Sequence, residues 1–403
     1  MFSFNRSGNE PGSISEPISR NWSKTDRFRI VMVAACPFPA NYGSPGAIRE
    51  MSESLSSLGH DVHIVTYPFG ENITVTGPKI WRCRRVRKRS EIYSGPSLEK
   101  IFLDLLLLLR LCSVIRREKI DIIHGHNYEG ALIGLVAKFL TGRPLVYNAV
   151  NLMSDELHTY KMMKPVFLAK WISRFLDWFI ARTPDGFIAI TENLYAALLK
   201  RGARKDRIAL VPCGVNVEMF DYPNPQPLRD RYGIGARPVV MYTGINGALQ
   251  RLDYLLRAFS LVLDKVPDAI LMLVSPLAID TDIQPNRKLA QQLGIEQSII
   301  FVQGQSLAEL PDYLALASVA VMSRPDVPGQ PIKLLNYMAM ARPIVCFNGA
   351  AKGIRHLHDA YLAPDHEWIK LGDAINTLLE DRELAIRLGI NARNTVILAS
   401  AAT

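Results

Sequence analysis

The chain has 403 residues, 48% of them hydrophobic, and a formal net charge of +9. That length exceeds one ordinary core and calls for two domains, while five widely spaced cysteines (Cys36, Cys83, Cys112, Cys213 and Cys346), an odd number, argue against a disulfide framework and for reduced thiols in a cytoplasmic setting. The basic excess gathers at Arg82, Arg84, Arg85, Arg87, Lys88 and Arg89 without an aromatic stacking pattern, which argues against nucleic acid and leaves an anionic membrane surface or plain solvation.

Residues 1–26 are rich in Ser, Asn, Pro and Gly, lack the apolar core of a secretory signal, and are expected to form a disordered leader. From Arg27 onward, short apolar runs alternate with helical patterns, the mark of βα units and of an α/β fold on parallel sheets. In residues 27–215 we expect strands at 29–35, 61–66, 120–124, 145–149, 186–190 and 208–211, and helices at 45–58, 98–117 and 130–140. The apolar run 105–109 is bracketed by Asp104 and Arg110 and is too short to cross a bilayer. Residues 216–238 hold Pro223, Pro225, Pro227, Gly233, Gly235 and Pro238 and read as a linker. Residues 239–403 restart with a strand at 239–243, followed by strands at 270–274, 299–302, 319–322 and 343–347.

Doubly wound sheets bind ligands beyond the carboxyl ends of their strands, so polar residues just past those ends are the candidates for chemistry. After the first strand comes Cys36-Pro37-Phe38-Pro39-Ala40-Asn41-Tyr42-Gly43-Ser44-Pro45-Gly46, in which Ser44 suits a helix N-cap and Pro45 the first helical position. Gly43 and Ser44 then meet an anion or sugar hydroxyls, or form only a tight βα turn. In residues 121–130, His126 is expected to emerge past the strand end toward a substrate hydroxyl and His124 to point back into the sheet. No third ligand at metal-site spacing accompanies them, so no metal is expected.

Val327-Pro328-Gly329-Gln330-Pro331 belongs neither in a helix nor in a central strand. It leads into a helix at 332–341 that buries Leu334, Leu335 and Met338 and offers Lys333, Asn336 and Tyr337 to a ligand at a helix start. Upstream, residues 165–182 set Phe167, Leu168, Trp171, Ile172, Phe175, Leu176 and Phe179 on one helical stripe beside Lys170, Arg174 and Arg182. Such a helix either packs its stripe on the sheet or lies on a membrane surface.

Together with Leu58-Gly59-His60-Asp61-Val62, Val211-Pro212-Cys213-Gly214-Val215-Asn216 and Tyr242-Thr243-Gly244, these segments resemble family 4 glycosyltransferases over nearly all of residues 27–393. The resemblance implies the GT-B architecture, two Rossmann-like domains facing a cleft. It also implies retaining transfer of a sugar from a nucleotide-diphosphate donor to an acceptor, in cell-envelope or exopolysaccharide synthesis at the cytoplasmic face of the membrane, and the basic aromatic helix at 165–182 would suit a lipid-linked acceptor. Neither cofactor nor metal is implied: the nucleotide sugar is a co-substrate, and positive side chains with a helix dipole balance the leaving diphosphate. On this chain the resemblance sets Gly43 and Ser44 against the donor phosphates and sugar, and His126 beside the transferred sugar's hydroxyls. It gathers Gly244, Gln250, Arg251, Arg324, Gly329, Gln330, Pro331, Lys333 and Asn336 around the ribose and diphosphate.

The chain departs from the family pattern at identifiable positions. Two glutamates that the family carries fall on Pro328 and Asn336, and the basic pair that follows the glycine is absent from Ile245-Asn246-Gly247-Ala248-Leu249-Gln250-Arg251. Gln250, Arg251, Arg324 and Lys333 are the stand-ins. Asn148 and Val150 occupy positions where relatives carry an Asp and a His, and the family continues past the equivalent of residue 403. These departures leave an alternative, a GT-B protein without turnover that binds a partner or a membrane. An epimerase on the same fold would need carboxylates facing the sugar, and none is placed.

Overall fold

Segments such as Ile30-Val31-Met32-Val33 and Val239-Val240-Met241 are β-branched or flexible apolar residues buried on both faces, the composition of central parallel strands. The computed structural model describes residues 26–40, 43–84, 98–156, 166–277, 283–325 and 331–401. The expected leader apart from Asp26, the basic residues 85–89, and Gly329 and Gln330 lie outside them.

The first half runs β1 (Arg29–Ala34), α1 (Gly43–Ser57), β2 (Asp61–Thr66), β3 (Lys79–Arg82), α2 (Leu98–Arg117), β4 (Ile122–His126), α3 (Asn127–Thr141) and β5 (Leu145–Ala149). It continues with α4 (Met153–Glu156), α5 (Val166–Ile180), β6 (Gly186–Ala189), α6 (Glu192–Lys200) and β7 (Ile208–Leu210). The second half comprises α7 (Gln226–Arg231), β8 (Val239–Thr243), α8 (Leu252–Lys265), β9 (Ile270–Val274), α9 (Ile283–Gln292), β10 (Ile299–Val302) and α10 (Leu310–Leu316). β11 (Val319–Met322), α11 (Ile332–Ala339), β12 (Ile344–Phe347), β13 (Tyr361–Ala363), α12 (Trp368–Glu380) and α13 (Arg382–Ala401) follow.

Two sheets result, ordered β3-β2-β1-β4-β5-β6-β7 and β10-β9-β8-β11-β12-β13, with every pairing parallel. In each, the direction of winding reverses beside the first strand, so β1 meets β4 and β8 meets β11. The carboxyl ends of those pairs open the crevices where doubly wound folds take ligands. Right-handed crossovers from β3 to β4, β4 to β5 and β5 to β6 put α2, α3 and α5 on one face of the first sheet; α1, winding the other way, takes the opposite face.

Several expectations shift. α1 starts at Gly43, so Ser44 and Pro45 are its second and third residues and not the N-cap and first position. Proline is tolerated there because N–H groups of a first turn have no intrahelical acceptor. β4 runs to His126, two residues beyond the expected end, and the edge strands β3 and β13 are additional. Within the linker 216–238, Phe220, Leu228 and Ile234 are buried in one cluster with Val239, Met241 and Met322 of the second sheet. The stripe on α5, for which packing on the sheet and a surface role were both open, is divided: Ile172, Leu176 and Phe179 are half-buried, Ala169, Ser173 and Asp177 are buried, and Phe167, Leu168, Trp171, Phe175 and Trp178 are exposed. Finally, α13 lies so close to the end of α11 that a Cβ on Gly389 would stand 2.3 Å from the Ala341 carbonyl oxygen. Arg393 Nη1 donates to the carbonyl of Ala339.

Candidate functional site

At the first crevice, Gly43 is exposed and Ser44 half-buried at the start of α1, and Ser44 Oγ donates to Asn127 Oδ1 at 3.5 Å. Asn127 opens α3 with a left-handed φ of 57°, a conformation asparagine tolerates better than most residues. His126 does not emerge past the strand; it is the last residue of β4 and 2% exposed. Two residues apart on one strand face, His124 and His126 lie with ring centroids 4.3 Å apart. Burial pushes His124 down to about 4 and His126 well below the ordinary imidazole value, the second further disfavoured by His124, so both rings are neutral. Asn148 Nδ2 donates to His126 Nδ1 at 3.1 Å, which assigns the proton to Nε2. His126 Nε2, His124 Nε2, Asn148 Oδ1 and the Tyr128 hydroxyl are buried with no hydrogen-bond partner among the described residues. Unmet polar capacity of this kind at a strand end suits hydroxyl-bearing ligands or water.

The second crevice concentrates positive charge. Gly244 follows β8 with φ 131°, a conformation few side-chain-bearing residues adopt, and a Cβ there would come 2.8 Å from Lys333 Nζ. Lys333, second residue of α11, donates from Nζ to the Tyr242 hydroxyl and to Gln250 Oε1, both at 2.9 Å, and lies 4.2 Å from the Tyr242 ring centroid. Tyr242 in turn donates to the carbonyl of Ile245 at 2.7 Å, and Ser323 Oγ to that of Gln250 at 3.0 Å, joining the loops after β8 and β11. Among the described residues no carboxylate pairs with Lys333. Burial of the ammonium, reinforced by the charge of Arg324, lowers it from 10.5 to about 7. An ammonium at a helix start that no carboxylate among the described residues neutralises, with the Arg324 charge close by, suits an anion.

The other expected residues divide. Pro331 caps α11 and its carbonyl accepts from the Leu334 N–H at 3.0 Å. Asn336, half-buried, lies one turn from Lys333, where the i, i+3 relation makes them neighbours. Arg251 is turned elsewhere: its guanidinium pairs with Asp253 at 2.9 and 2.8 Å and stacks 3.6 Å from the Tyr254 ring centroid. Tyr337 is not offered to a ligand; it is fully buried, and its hydroxyl accepts from the Thr243 N–H at 2.9 Å. Sequence reasoning missed Tyr242, whose signal was a lone phenol in an apolar strand one residue before Thr243-Gly244, and Tyr128, a phenol just past the two histidines.

Residues 45–219 match the family model Glycosyltransferase Family 4, and residues 237–381 match Glycosyl transferases group 1, so the two domains are matched in turn. The chain belongs to the family 4 glycosyltransferases. One similar relative is the D-inositol 3-phosphate glycosyltransferase of Corynebacterium glutamicum, 26% identical over 316 residues, which are 74% of each chain. Another is the GDP-mannose-dependent alpha-(1-6)-phosphatidylinositol monomannoside mannosyltransferase of Mycobacterium tuberculosis, 29% identical over 197 residues. That match takes in 46% of this chain and spans only half the length of the relative. Anabaena HepE, solved in complex with UDP-glucose, superposes with a TM-score of 0.73 at 16% identity, covering 93% of this chain and 98% of its own. The family 4 chain therefore has the GT-B fold, and its two crevices are those of two Rossmann-like domains.

Proposed function

We propose that the chain is a retaining glycosyltransferase that moves a sugar from a nucleotide-diphosphate sugar to a lipid-linked acceptor, in cell-envelope or exopolysaccharide synthesis at the cytoplasmic face of the membrane. The observation that carries this reading is Lys333, an ammonium enclosed beside Gly244 and Arg324 with no carboxylate partner among the described residues. A diphosphate supplies the missing counter-charge. Gly244 lets its oxygens approach the backbone, and Lys333 and Arg324 stabilise charge that grows on the leaving group as the glycosidic bond breaks.

In the same reading Asn336 holds the ribose, and the sugar extends toward the first crevice, where Gly43, Ser44 and the N–H of His126 Nε2 meet its hydroxyls. A neutral imidazole is suited to that task, since it donates without adding positive charge beside an oxocarbenium-like centre. Retention follows if a donor phosphate oxygen takes the acceptor's proton on the face that the leaving group vacates. The nucleotide sugar is a co-substrate, and the scheme calls on no cofactor or metal. Support for a lipid-linked acceptor comes from the mycobacterial relative, whose acceptor is a phosphatidylinositol mannoside.

The test is a panel of nucleoside diphosphates in a thermal melt, since a ligand of the folded state raises the melting temperature by mass action. Stabilisation by one base, followed by release of that nucleotide from its sugar conjugate on addition of membrane extract, is the expected outcome. The second reading, a partner-binding protein without turnover, draws on Asn336, a neutral amide at a position where the family pattern has a carboxylate. Stabilisation without nucleotide release from any sugar conjugate would favour it, and no stabilisation by any base would refute the diphosphate site.

A further inference from the structure

We infer that the outward face of α2, α3 and α5 is a docking surface for an anionic lipid bilayer. Only its purpose, delivery to a lipid-linked acceptor, rests on the proposed function; the surface itself rests on how these helices are turned. The rotation of α5 is fixed from inside. The buried Asp177 carboxylate accepts the backbone N–H groups of Met153 at 2.9 Å and Ser154 at 3.1 Å, and Ala169 and Ser173 lie on the same inner stripe.

With Ile180 also buried on that side, three of the largest rings of the helix remain outside. Trp171 is 66% exposed, Phe175 49% and Trp178 48%, and their rings stack in sequence with centroids 6.1 and 6.0 Å apart. Helices on the same side of the sheet also expose large apolar residues: Phe139 of α3 is 74% exposed and Leu109 of α2 61%. Soluble monomers rarely leave a cluster of stacked large rings such as that of α5 uncovered.

Charge selects the occupant. Among the side chains that the structure describes, the carboxylates of α2, α3 and α5 are all engaged: Asp104 bonds the Tyr67 hydroxyl, Glu129 pairs with Lys100, and Asp177 is buried, while Glu99 lies outside the described side chains. The exposed charges described on these helices are all positive, at Arg116, Arg117, Lys170 and Arg174. Aromatic rings that seat at head-group depth, interleaved with cations alone, match an anionic bilayer surface. Among the described residues no helix is long and apolar enough to cross a membrane, so the chain lies on the bilayer through this face.

The test is flotation of the full chain with vesicles of phosphatidylcholine alone or mixed with phosphatidylglycerol. The chain should float with the anionic vesicles only. Trp171→Ser with Phe175→Ser should abolish flotation, and Lys170→Gln with Arg174→Gln should lower partition by about fivefold per charge removed, an effect that added salt erases in the unmodified chain. All four positions are exposed, so both variants should keep the unmodified melting temperature and the same stabilisation by nucleoside diphosphate. Absence of flotation, flotation unchanged by the aromatic variant, or a dimer that this variant makes monomeric would overturn the inference. Nucleotide stabilisation without flotation would sink this surface and leave the transferase reading standing; flotation without nucleotide stabilisation would do the reverse.

Discussion

Replacing Lys333 by methionine should move two observables in opposite directions. In the ligand-free folded chain Lys333 titrates near 7, whereas in the unfolded chain it keeps its proton to about 10.5. Between those values the unfolded state binds more protons, so ligand-free stability rises with pH from about 7 to about 10.5, and at pH 7 the enclosed charge is a liability. Methionine fills similar space without charge, and the ligand-free melting temperature should rise, by roughly 2–4 °C for each kcal/mol recovered. Nucleotide binding should suffer by about ten- to a hundredfold at pH 7, the loss expected for a charge-assisted hydrogen bond.

The pH profile sharpens the case. A diphosphate ligand is fully ionised above pH 7 and takes the protonated lysine, so only that fraction of the free protein is competent. With a value near 7, affinity should fall about fivefold from pH 7 to 8 and about fiftyfold from pH 7 to 9. In Lys333→Met it should be flat over the same range. Isothermal titration at three pH values reads this directly. A flat profile for the unmodified chain, or equal affinity of the two proteins at pH 7, would refute the role given to Lys333.

Gly244→Ala forces a side chain into a left-handed φ and against Lys333 Nζ, so it should cost about 1–3 kcal/mol in a urea melt and weaken nucleotide binding as well; a neutral effect on both would contradict the close approach. Arg251→Ala should leave nucleotide affinity within about twofold, because its guanidinium is committed to Asp253 and Tyr254. A tenfold loss by titration would show that Arg251 swings to the ligand. Asp177→Ala strands two backbone N–H groups and should destabilise the first domain by about 1–3 kcal/mol, measured by chemical denaturation.

Much of the scaffold was legible because strand interiors here are predominantly apolar: β2, β5, β8, β9, β10 and β11 have the bounds that their sequences suggest, even though His63 interrupts β2 and Asn148 lies in β5. The edges were not. Lys79-Ile80-Trp81-Arg82 and Tyr361-Leu362-Ala363 are short and half solvated, so no apolar run announces them. His126 was displaced for a related reason, since Gly125 and His126 look like loop residues and continue a strand only because β1 and β5 pair with them. Periodicity found the stripe on α5 but not its direction, which depends on Asp177 reaching Met153 and Ser154 across a gap in sequence. The positive charge of Lys333 was visible at a helix start, whereas its cradle of Tyr242 and Gln250, about ninety positions upstream, was not.

The tight seat of α11 reaches beyond local packing. A helix of eight residues is about 12 Å long and bends little, so a displacement at its carboxyl end arrives almost undiminished at Lys333. Gly389 and Arg393 press on that end, and Tyr337 pins the middle to Thr243. A bulkier residue at 389 would press on the Ala341 carbonyl just past the end of α11, and any shift of the helix would disturb the contacts of Lys333 with Tyr242 and Gln250. If Lys333 holds the diphosphate as proposed, a change at position 389 of α13 would be felt as a change in nucleotide affinity.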